Sequence, residues 1–504
     1  MKKLTSLFLA LVLFILLLVP QGAAFAETVS PAKLFTYSGS GNFERGIAVM
    51  QNGDLYVITN EGKIRGFHAD GTENGFVADL PSNYCGNLCA TSNGMLLAHT
   101  YQGVVCVYKP ASSASYKKVY TGGGCQFLAV DKNNNIYCLR GETNSSGKKV
   151  AVILRTTAKS IATLENEAMI DWNKKYTPNY TAPSSDGNAY PRAVAVDGAG
   201  NAYIADQGSS NGYDASVSGV YKYNMSTGKV TSMQFVDSSG VVKLTWIYSI
   251  SADEFGNVAV LSRNSNIIAL FRPGSVRADS LISVQGWVED LASDANGDLY
   301  YLSNGNINVG NAVFKCALNN KAATGLTLTA AQKTVIVSSS FTLGATVAPA
   351  NATNRQVVYS TSNSKVATVT QAGVVKGVSA GKATITVKTV QGGIAKTCTV
   401  TVKKAANPLA VKTKTVTLKY SALKKRNQTV SRTKVLAVSK AKGKLTYVKK
   451  SGNKRITINK STGKVTVKKG LKKGTYSIKV AVTAAGNATY SAKTKAVTFK
   501  IKVK

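Results

Sequence analysis

The stretch Pro191-Arg-Ala-Val-Ala-Val-Asp-Gly-Ala-Gly-Asn-Ala-Tyr-Ile-Ala-Asp206 contains the pattern from which the fold of the front part of the chain follows. Val194 stands six residues before Gly200, and the small Ala195 follows it. Asp197, three residues before the same glycine, is placed to accept hydrogen bonds from the turn backbone. Apolar residues resume directly after the turn, so the stretch predicts two antiparallel strands joined by a tight turn.

The same pattern occurs six times between residues 41 and 318. Each copy places a residue that tolerates a positive φ at its turn: Gly53, Gly94, Asn134, Gly200, Gly256 and Gly297. A large aliphatic residue and then a small one precede each turn, in the pairs Ile47-Ala48, Leu88-Cys89, Leu128-Ala129, Val194-Ala195, Ile250-Ser251 and Leu291-Ala292. The turns lie 41, 40, 66, 56 and 41 residues apart, so the basic repeat is about 40 residues with two insertions.

A repeat of this length made of short strands is typical of a β-propeller blade. We therefore predict an all-β chain whose residues 31–318 form a six-bladed β-propeller. Residues 32–37 read as a strand without a blade of its own. The simplest expectation is that this N-terminal strand completes the last blade and closes the ring.

Two segments carry a resemblance to a known family: Gly46-Ile-Ala-Val-Met-Gln-Asn-Gly-Asp-Leu-Tyr-Val57 and the quoted stretch 191–206. They resemble NHL-type six-bladed propellers, and the resemblance covers residues 31–318. It implies the fold and leaves the function open, because such propellers serve as lyases, as lactonases and as binding modules.

Residues just ahead of the innermost strand of a blade normally line the rim of the central channel. Aligning the repeats gives a candidate ligand-binding set on this rim: Arg45, Asn87, Gln126, Arg192, Tyr248, Glu289 and Asp290. Arg45 and Arg192 come from opposite blades and could clamp an anionic ligand across the channel. The alternative is that these polar residues only hydrate the channel mouth.

The sequence offers little material for catalysis or for a metal site. The histidines are His68 and His99, far apart and away from paired cysteines, whereas propeller lyases depend on histidines. Propeller lactonases need a carboxylate-rich face, for which Glu44, Asp206, Glu289 and Asp290 are the candidates. We predict no catalytic residue, no metal and no cofactor, and a secreted lyase or lactonase remains the alternative function.

Seven cysteines are too few for a disulfide scaffold, and their number is odd. Cys85 and Cys125 occupy the same repeat position in adjacent blades, which makes them a candidate disulfide. Five others fall on strand positions, where we expect small core residues: Cys89, Cys106, Cys138, Cys316 and Cys398.

Residues 1–26 have the pattern of a secretory signal peptide. Lys2 and Lys3 precede the apolar run 7–19, and Ala24-Phe25-Ala26 supplies small residues at the cleavage positions. No later stretch approaches the roughly 20 apolar residues that span a bilayer. We expect a secreted, extracellular protein without a transmembrane anchor, held at the cell surface by other means.

Residues 322–403 alternate apolar and polar positions at the period of a β-strand. Val357-Val-Tyr-Ser-Thr-Ser-Asn363, Val366-Ala-Thr-Val369, Gly373-Val-Val-Lys-Gly-Val378 and Gly381-Lys-Ala-Thr-Ile-Thr386 follow in that order. The segment resembles a bacterial immunoglobulin-like domain of group 2, with Tyr359 where the family usually has tryptophan. The resemblance implies a β-sandwich that acts as a spacer or an adhesion unit.

Residues 407–504 form a further predicted β-sandwich module that is rich in lysine. In its last strand Val497, Phe499, Ile501 and Val503 point to one side, and Lys500, Lys502 and Lys504 point to the other. The segments Ile458-Asn-Lys-Ser-Thr-Gly-Lys-Val465 and Gly474-Thr-Tyr-Ser-Ile-Lys-Val480 resemble cadherin-like repeats of bacterial surface proteins. Calcium-binding members use carboxylate ligands, and this module has none.

The charge of the chain is strongly segregated. All 24 acidic residues lie at or before Asp298, whereas 38 lysines and arginines follow it. Such a field favours a polyanion, and lysine without interleaved aromatics argues against sequence-specific nucleic-acid recognition. We expect a non-catalytic surface protein whose basic modules adhere to an anionic cell-envelope polymer or host glycan, while the propeller binds an unknown ligand.

Overall fold

The computed structural model describes residues 29–37, 43–80, 85–100, 103–121, 125–164, 168–209, 218–237, 240–241, 244–304 and 311–504. Within these ranges the side chains of residues 43–45, 85, 236–237 and 240–241 are not described. The predicted signal peptide lies outside the described residues. The fold is all-β, with three short helices among the described residues: α1 Ala158–Thr163, α2 Tyr420–Lys425 and α3 Arg432–Val435. In the described part of the chain, no helix has the length and apolarity needed to cross a membrane.

The chain folds into two compact units, the first of which contains the residues up to Gly325 together with 347–356 and 389–394. The strands of its front part are β1 Ala32–Tyr37, β2 Phe43–Val49, β3 Leu55–Thr59, β4 Lys63–Phe67, β5 Glu73–Asp79, β6 Cys85–Ala90, β7 Leu96–Thr100, β8 Val104–Lys109, β9 Ser113–Tyr120, β10 Phe127–Val130, β11 Asn135–Thr143, β12 Lys149–Thr157, β13 Ala168–Met169, β14 Lys174–Tyr176, β15 Pro191–Val196, β16 Asn201–Asp206, β17 Gly219–Asn224, β18 Val230–Ser232, β19 Val236–Asp237, β20 Gly240–Val241, β21 Ile247–Ala252, β22 Val258–Ser262, β23 Ile267–Phe271, β24 Ser280–Ser283, β25 Trp287–Ser293, β26 Leu299–Asn304 and β27 Asn311–Cys316.

These strands pair into six antiparallel sheets of four strands, one for each sequence repeat, among the residues the structure describes. In chain order they are β2-β3-β4-β5, β6-β7-β8-β9, β10-β11-β12-β14, β15-β16-β17-β18, β21-β22-β23-β24 and β25-β26-β27-β1. Strand β13 extends the second sheet by pairing in parallel with β9, and β19 and β20 form a separate hairpin. The N-terminal strand β1 pairs antiparallel with β27 of the last sheet, as the sequence predicts.

Neighbouring sheets are held together by the large and small residues of their first strands. Leu88 of the second sheet shares a buried cluster with Ala48 of the first sheet. Ile47 of the first sheet shares another with Ala292 of the sixth sheet. Within the described ranges, six such clusters join the sheets pairwise in cyclic order. A large side chain therefore fills the space that the preceding sheet leaves above its small residue, which explains the repeated pattern.

The six turns have the conformation predicted for them. Their central residues have φ angles between 59° and 88°, and each donates its N–H to the carbonyl three residues earlier. In four repeats an aspartate caps the turn by accepting the N–H four residues later, as at Asp197 from Asn201, 2.9 Å. In three of these the other carboxylate oxygen accepts a tyrosine hydroxyl, as from Tyr203 at 2.9 Å. The turns are thus fixed by local sequence.

The second unit contains residues 326–346, 357–388 and 395–504. The remaining strands of the chain are β28 Gly325–Leu328, β29 Gln332–Ile336, β30 Ser340–Thr342, β31 Ala345–Ala348, β32 Val357–Thr361, β33 Ala367–Val369, β34 Val374–Gly377, β35 Gly381–Thr389, β36 Ala395–Lys403, β37 Ala410–Thr413, β38 Thr415–Leu418, β39 Gln428–Val430, β40 Leu436–Ser439, β41 Leu445–Ser451, β42 Ile456–Ile458, β43 Val465–Val467, β44 Gly474–Ala484 and β45 Lys493–Val503.

Residues 407–504 repeat the strand order of residues 325–403. The earlier module contains the sheets β28-β31, β29-β36-β35-β32 and β30-β34-β33, and the later one contains β37-β40, β38-β45-β44-β41 and β39-β43-β42. In each module the second strand pairs in parallel with the last strand. Tyr359 and Tyr447 occupy equivalent strands and are both buried. The lysine-rich module is therefore a second sandwich with the same topology.

Two loops of the Ig-like segment, residues 347–356 and 389–394, belong to the first compact unit. Asn354 is buried and donates its side-chain N–H to the carbonyl of Phe255 at 2.6 Å. Lys132 donates its ammonium to the carbonyl of Val390 at 2.8 Å. These hydrogen bonds are accepted by backbone carbonyls, which sequence patterns do not reveal.

Deleting residues 31–37 from the full chain should expose the edge of β27 and remove Tyr37, which is buried beside Phe67. An unpaired edge promotes association with other chains. We expect a melting temperature several degrees lower and aggregation in size-exclusion chromatography. The control Lys33→Ala changes an exposed residue of the same strand and should leave both unchanged. A monomeric 31–37 deletion with the parental melting temperature would contradict closure by β1.

Candidate functional site

The first strands of the six sheets surround one cavity of about 150 Å³. Each of these strands, β2, β6, β10, β15, β21 and β25, contributes residues to its wall. The wall includes the large and small residues of all six repeats. Of the predicted rim residues, Asn87, Tyr248 and Asp290 line this cavity.

Two of the predicted rim residues form bridges between neighbouring sheets. Asn87 donates to the carbonyl of Leu128 at 2.7 Å and accepts the N–H of the same residue at 3.1 Å. Asp290 is buried, accepts the N–H of Ile47 at 3.2 Å and accepts the hydroxyl of Ser249. Both side chains thus link their own first strand to the first strand of an adjacent sheet, and Asp290 links the last sheet to the first.

Glu289 and Tyr248 belong to a cluster around Arg263. The Arg263 guanidinium forms an ion pair with Glu289 and lies 4.4 Å from the ring centroid of Tyr248 and 4.3 Å from that of Trp287. The ring of Trp246 lies 5.5 Å away on another side. Such cation–π contacts hold the guanidinium in place. The structure therefore brings two predicted residues together around an arginine that the repeat alignment does not select.

The repeat position ten residues before the turn is aromatic in five repeats: Phe43, Tyr84, Tyr190, Trp246 and Trp287. This signal is present in the sequence, but the predicted rim set misses it because that set contains only positions closer to the turn. Among the three whose side chains are described, Trp287 is 43% exposed. Its ring also contacts the Arg263 guanidinium and the ring of Trp246.

Gln126 and Arg192 line a second cavity, of about 380 Å³, between the third and fourth sheets. Tyr190, Lys149 and Glu142 also line it. The Arg192 guanidinium lies 5.0 Å from the ring centroid of Tyr248, and the Lys149 ammonium lies 5.5 Å from that of Tyr190.

The carboxylate of Glu142 is paired with basic residues at this cavity. Its hydrogen bond from Lys175, 2.6 Å, and the neighbouring Arg140 hold the pKa of Glu142 below its usual value. The negative charge is therefore compensated within the protein, and Lys149 and Arg192 leave the cavity with a positive character. Its volume lies within the range of small-ligand sites.

The remaining predictions on this face concern Arg45 and the disulfide. Arg45 lies in strand β2, and its side chain is outside the described residues, as is that of Cys85. Cys125 forms a disulfide with Cys138, so the predicted Cys85–Cys125 pairing is corrected. Cys138 stands on the strand next to β10 in the same sheet, and its α-carbon lies 5.6 Å from that of Cys125. Repeat alignment compares different sheets, which is why it selected the wrong partner.

The residues considered for catalysis are placed in separate environments. His99 is fully buried, and its Nε2 lies 3.1 Å from the carbonyl oxygen of Cys125. His68 pairs with Asp54 at 3.1 Å on another part of the surface. Asp206 is buried and accepts the Tyr180 hydroxyl at 2.8 Å, and burial raises its pKa. Among the described residues, no group of three or more His, Cys, Asp or Glu side chains could hold a metal ion.

One segment of the chain matches a known family. Residues 322–400 match the bacterial Ig-like domain (group 2). The match confirms the Ig-like module predicted for residues 322–403. The chain is therefore modular, and its Ig-like module follows the six repeated sheets in the sequence.

Among curated proteins, the Ig-like virion protein of Serratia phage KSP90 is 48% identical over 82 residues, which are 16% of this chain and 32% of that protein. Kappa-carrageenase of Pseudoalteromonas carrageenovora is 51% identical over 72 residues, 14% of this chain and 18% of the enzyme. The chain thus spans less than two thirds of the length of these relatives. Among solved structures, the WD40 β-propeller domain of Doa1 aligns with 58% of this chain and 98% of its own, with 12% identity and a TM-score of 0.40.

Replacing Asp290 by alanine should destabilise the first unit by about 2–4 kcal/mol, because the Ile47 N–H and the Ser249 hydroxyl would lose a buried acceptor. The change would be measured by thermal or urea unfolding of the full chain. Gln126→Ala, at an exposed position of the same rim, is the control and should leave stability unchanged. Equal stability of the Asp290→Ala variant and the parent protein would show that Asp290 is not a structural bridge.

Proposed function

We propose that the protein is an extracellular, modular surface protein with two binding activities. Its first unit is a six-bladed β-propeller of NHL type that recognises a ligand at its rim. Its Ig-like and lysine-rich sandwich modules act as a spacer and attach the protein to an anionic cell-envelope polymer or host glycan.

The cyclic order of the sheets supports the propeller. Six consecutive sheets share their cores pairwise, and the cluster of Ile47 and Ala292 joins the sixth sheet to the first. Their first strands all line the same cavity of about 150 Å³. Radially repeated four-stranded sheets around a central channel define this architecture.

The charge distribution carries the proposed attachment function. Residues 299–504 contain 38 lysines and arginines and no aspartate or glutamate, so their positive charge has no side-chain anion of its own. A mixed-sign surface would make the modules soluble without this self-repulsion. Binding to a polyanion outside the protein would compensate this positive charge, which gives the excess of lysine and arginine a function.

The Ig-like module supports an accessory role. Proteins with segments similar to this chain include an Ig-like virion protein and kappa-carrageenase, whose names describe different roles. A module shared by such different proteins suits a spacer or adhesion unit that is combined with other domains. The engagement of Glu289, Asp290 and His99 in intramolecular contacts favours recognition over catalysis at the propeller.

Binding of the full chain to isolated cell walls should weaken steeply with salt, because a polycation releases counterions from a polyanion. We expect affinity to fall roughly a hundredfold or more between about 50 and about 200 mM salt. Sedimentation with the walls would measure it, and an uncharged polymer such as dextran is the control, expected to bind at neither salt concentration. Wall binding that is equal at both concentrations would contradict electrostatic attachment.

A second binding activity is supported by the cavity that Arg192, Lys149 and Tyr190 line. Two cations and an aromatic ring at a cavity of about 380 Å³ suit an anionic sugar. We expect that Arg192→Ala weakens binding of an anionic sugar, selected from a glycan array, by about ten- to hundredfold. Lys159→Ala removes the same charge at an exposed site outside the cavity and should have no effect. Equal affinities of both variants and the parent would contradict a ligand site at Arg192.

A further inference from the structure

We propose that the outward face of the sheet β38-β45-β44-β41 is a binding site for an extended, linear polyanion, such as a chain of phosphate or sulfate esters. This inference rests on the proposed attachment function and locates it. The face is defined by Thr415, Thr417, Thr475, Ser477, Lys479, Lys500 and Lys502, all of them exposed, and is called the lysine face below.

The two sandwich modules provide an internal comparison of this face. Strand β36 of the first sandwich corresponds to β45 of the second, since each pairs in parallel with the second strand of its module and antiparallel with the strand before it. The buried residues Val400 and Val402 of β36 correspond to Ile501 and Val503 of β45. The intervening outward positions can therefore be matched one by one.

At the matched outward positions, Thr399 and Thr401 of the first sandwich are replaced by Lys500 and Lys502 in the second. Threonine favours strands and lysine is depleted from them. The same strand order forms with threonine at these positions, so the fold does not require lysine there. Two like charges on one strand, in a module without carboxylates, have an electrostatic cost that folding alone does not explain.

Protection of a sheet edge does not account for these lysines either. Edge lysines prevent strands of different molecules from pairing. Strand β45, however, lies between β38 and β44 and is hydrogen-bonded on both sides. Its lysines therefore stand in the middle of the sheet.

The neighbours of these lysines fit an oxyanion chain. Lys500 lies between Thr415 and Ser477, and Lys502 lies between Thr417 and Thr475. Hydroxyl groups can donate to the same phosphate or sulfate oxygens that an ammonium group attracts. Residues two apart on a strand are about 7 Å apart, so the two lysines form a straight row of charges.

The composition of the lysine face also separates this ligand from nucleic acids. Binding of single-stranded nucleic acid relies on aromatic rings that stack with bases. The outward positions of the lysine face contain hydroxyl and ammonium groups and no aromatic side chain. The recognised feature is thus the charged backbone of a polymer.

The test compares two double variants of the full chain with equal loss of charge. Lys500→Thr with Lys502→Thr introduces the residues that strand β36 has at the matched positions, and Lys468→Thr with Lys469→Thr removes two exposed lysines outside the lysine face. The probe is long-chain inorganic polyphosphate, with a sulfated polysaccharide as a second arm. We expect the first variant to bind about tenfold more weakly and to lower the salt slope by about one to two, and the second to change binding much less.

Unfolding temperatures should be unchanged or raised in the Lys500→Thr, Lys502→Thr variant, because the matched threonines already support this strand order. The reciprocal variant Thr399→Lys with Thr401→Lys should increase binding. Equal weakening by both lysine variants would overturn the assignment to this face while leaving general electrostatic attachment intact. Failure of the parent protein to bind either polymer would instead overturn the proposed function. Tighter binding of single-stranded DNA than of polyphosphate with equal charge would contradict the inference that the lysine face recognises the charged backbone of a polymer and not nucleobases.

Discussion

The second unit has to fold without a single carboxylate side chain to balance its lysines and arginines. Side-chain ion pairs are therefore unavailable to it, and its stability depends on apolar burial and hydrogen bonds. The lysine-rich module buries one continuous cluster in which Leu423, Val435, Val465 and Ile501 are fully inaccessible. In the last part of β45, strict alternation keeps Phe499, Ile501 and Val503 inside and places Lys500 and Lys502 in solvent. The same alternation that makes folding possible places the charge on one face.

The first unit depends instead on the packing of six four-stranded sheets against one another. Large residues of one first strand pack against small residues of the preceding one, and the bridges of Asn87 and Asp290 add hydrogen bonds between neighbouring strands. Asp290 also connects the end of the repeats with their beginning. Two of the predicted rim residues thus stabilise the contacts between neighbouring sheets.

The sequence predicts the local features of this fold well. The turns at the five glycines and Asn134, the capping aspartates and the pairing of β1 with the last sheet all follow from residue type and spacing. Partners across the fold do not follow in this way. The hydrogen bond that Asp290 accepts from Ile47 joins residues 243 positions apart, and repeat alignment shows only that Asp290 stands near the rim. Likewise, alignment of different sheets paired Cys125 with Cys85, whereas its partner is Cys138 in its own sheet.

The relation between the two sandwich modules is hidden in the sequence for a physical reason. Outward positions of a strand are under little constraint from packing, so threonines and lysines can replace each other there without changing the fold. The equivalence of Thr399 with Lys500 becomes visible only through the pairing of the strands.

Lysine footprinting would show where on the chain a polyanion binds. The full chain would be acetylated with and without long-chain polyphosphate, and the modification of each lysine would be measured by mass spectrometry. If the basic modules are the attachment site, polyphosphate protects lysines of residues 407–504, most strongly Lys479, Lys500 and Lys502, and leaves those before Asp298 as reactive as in the free protein. Equal protection along the whole chain, or protection concentrated before Asp298, would contradict attachment through these modules.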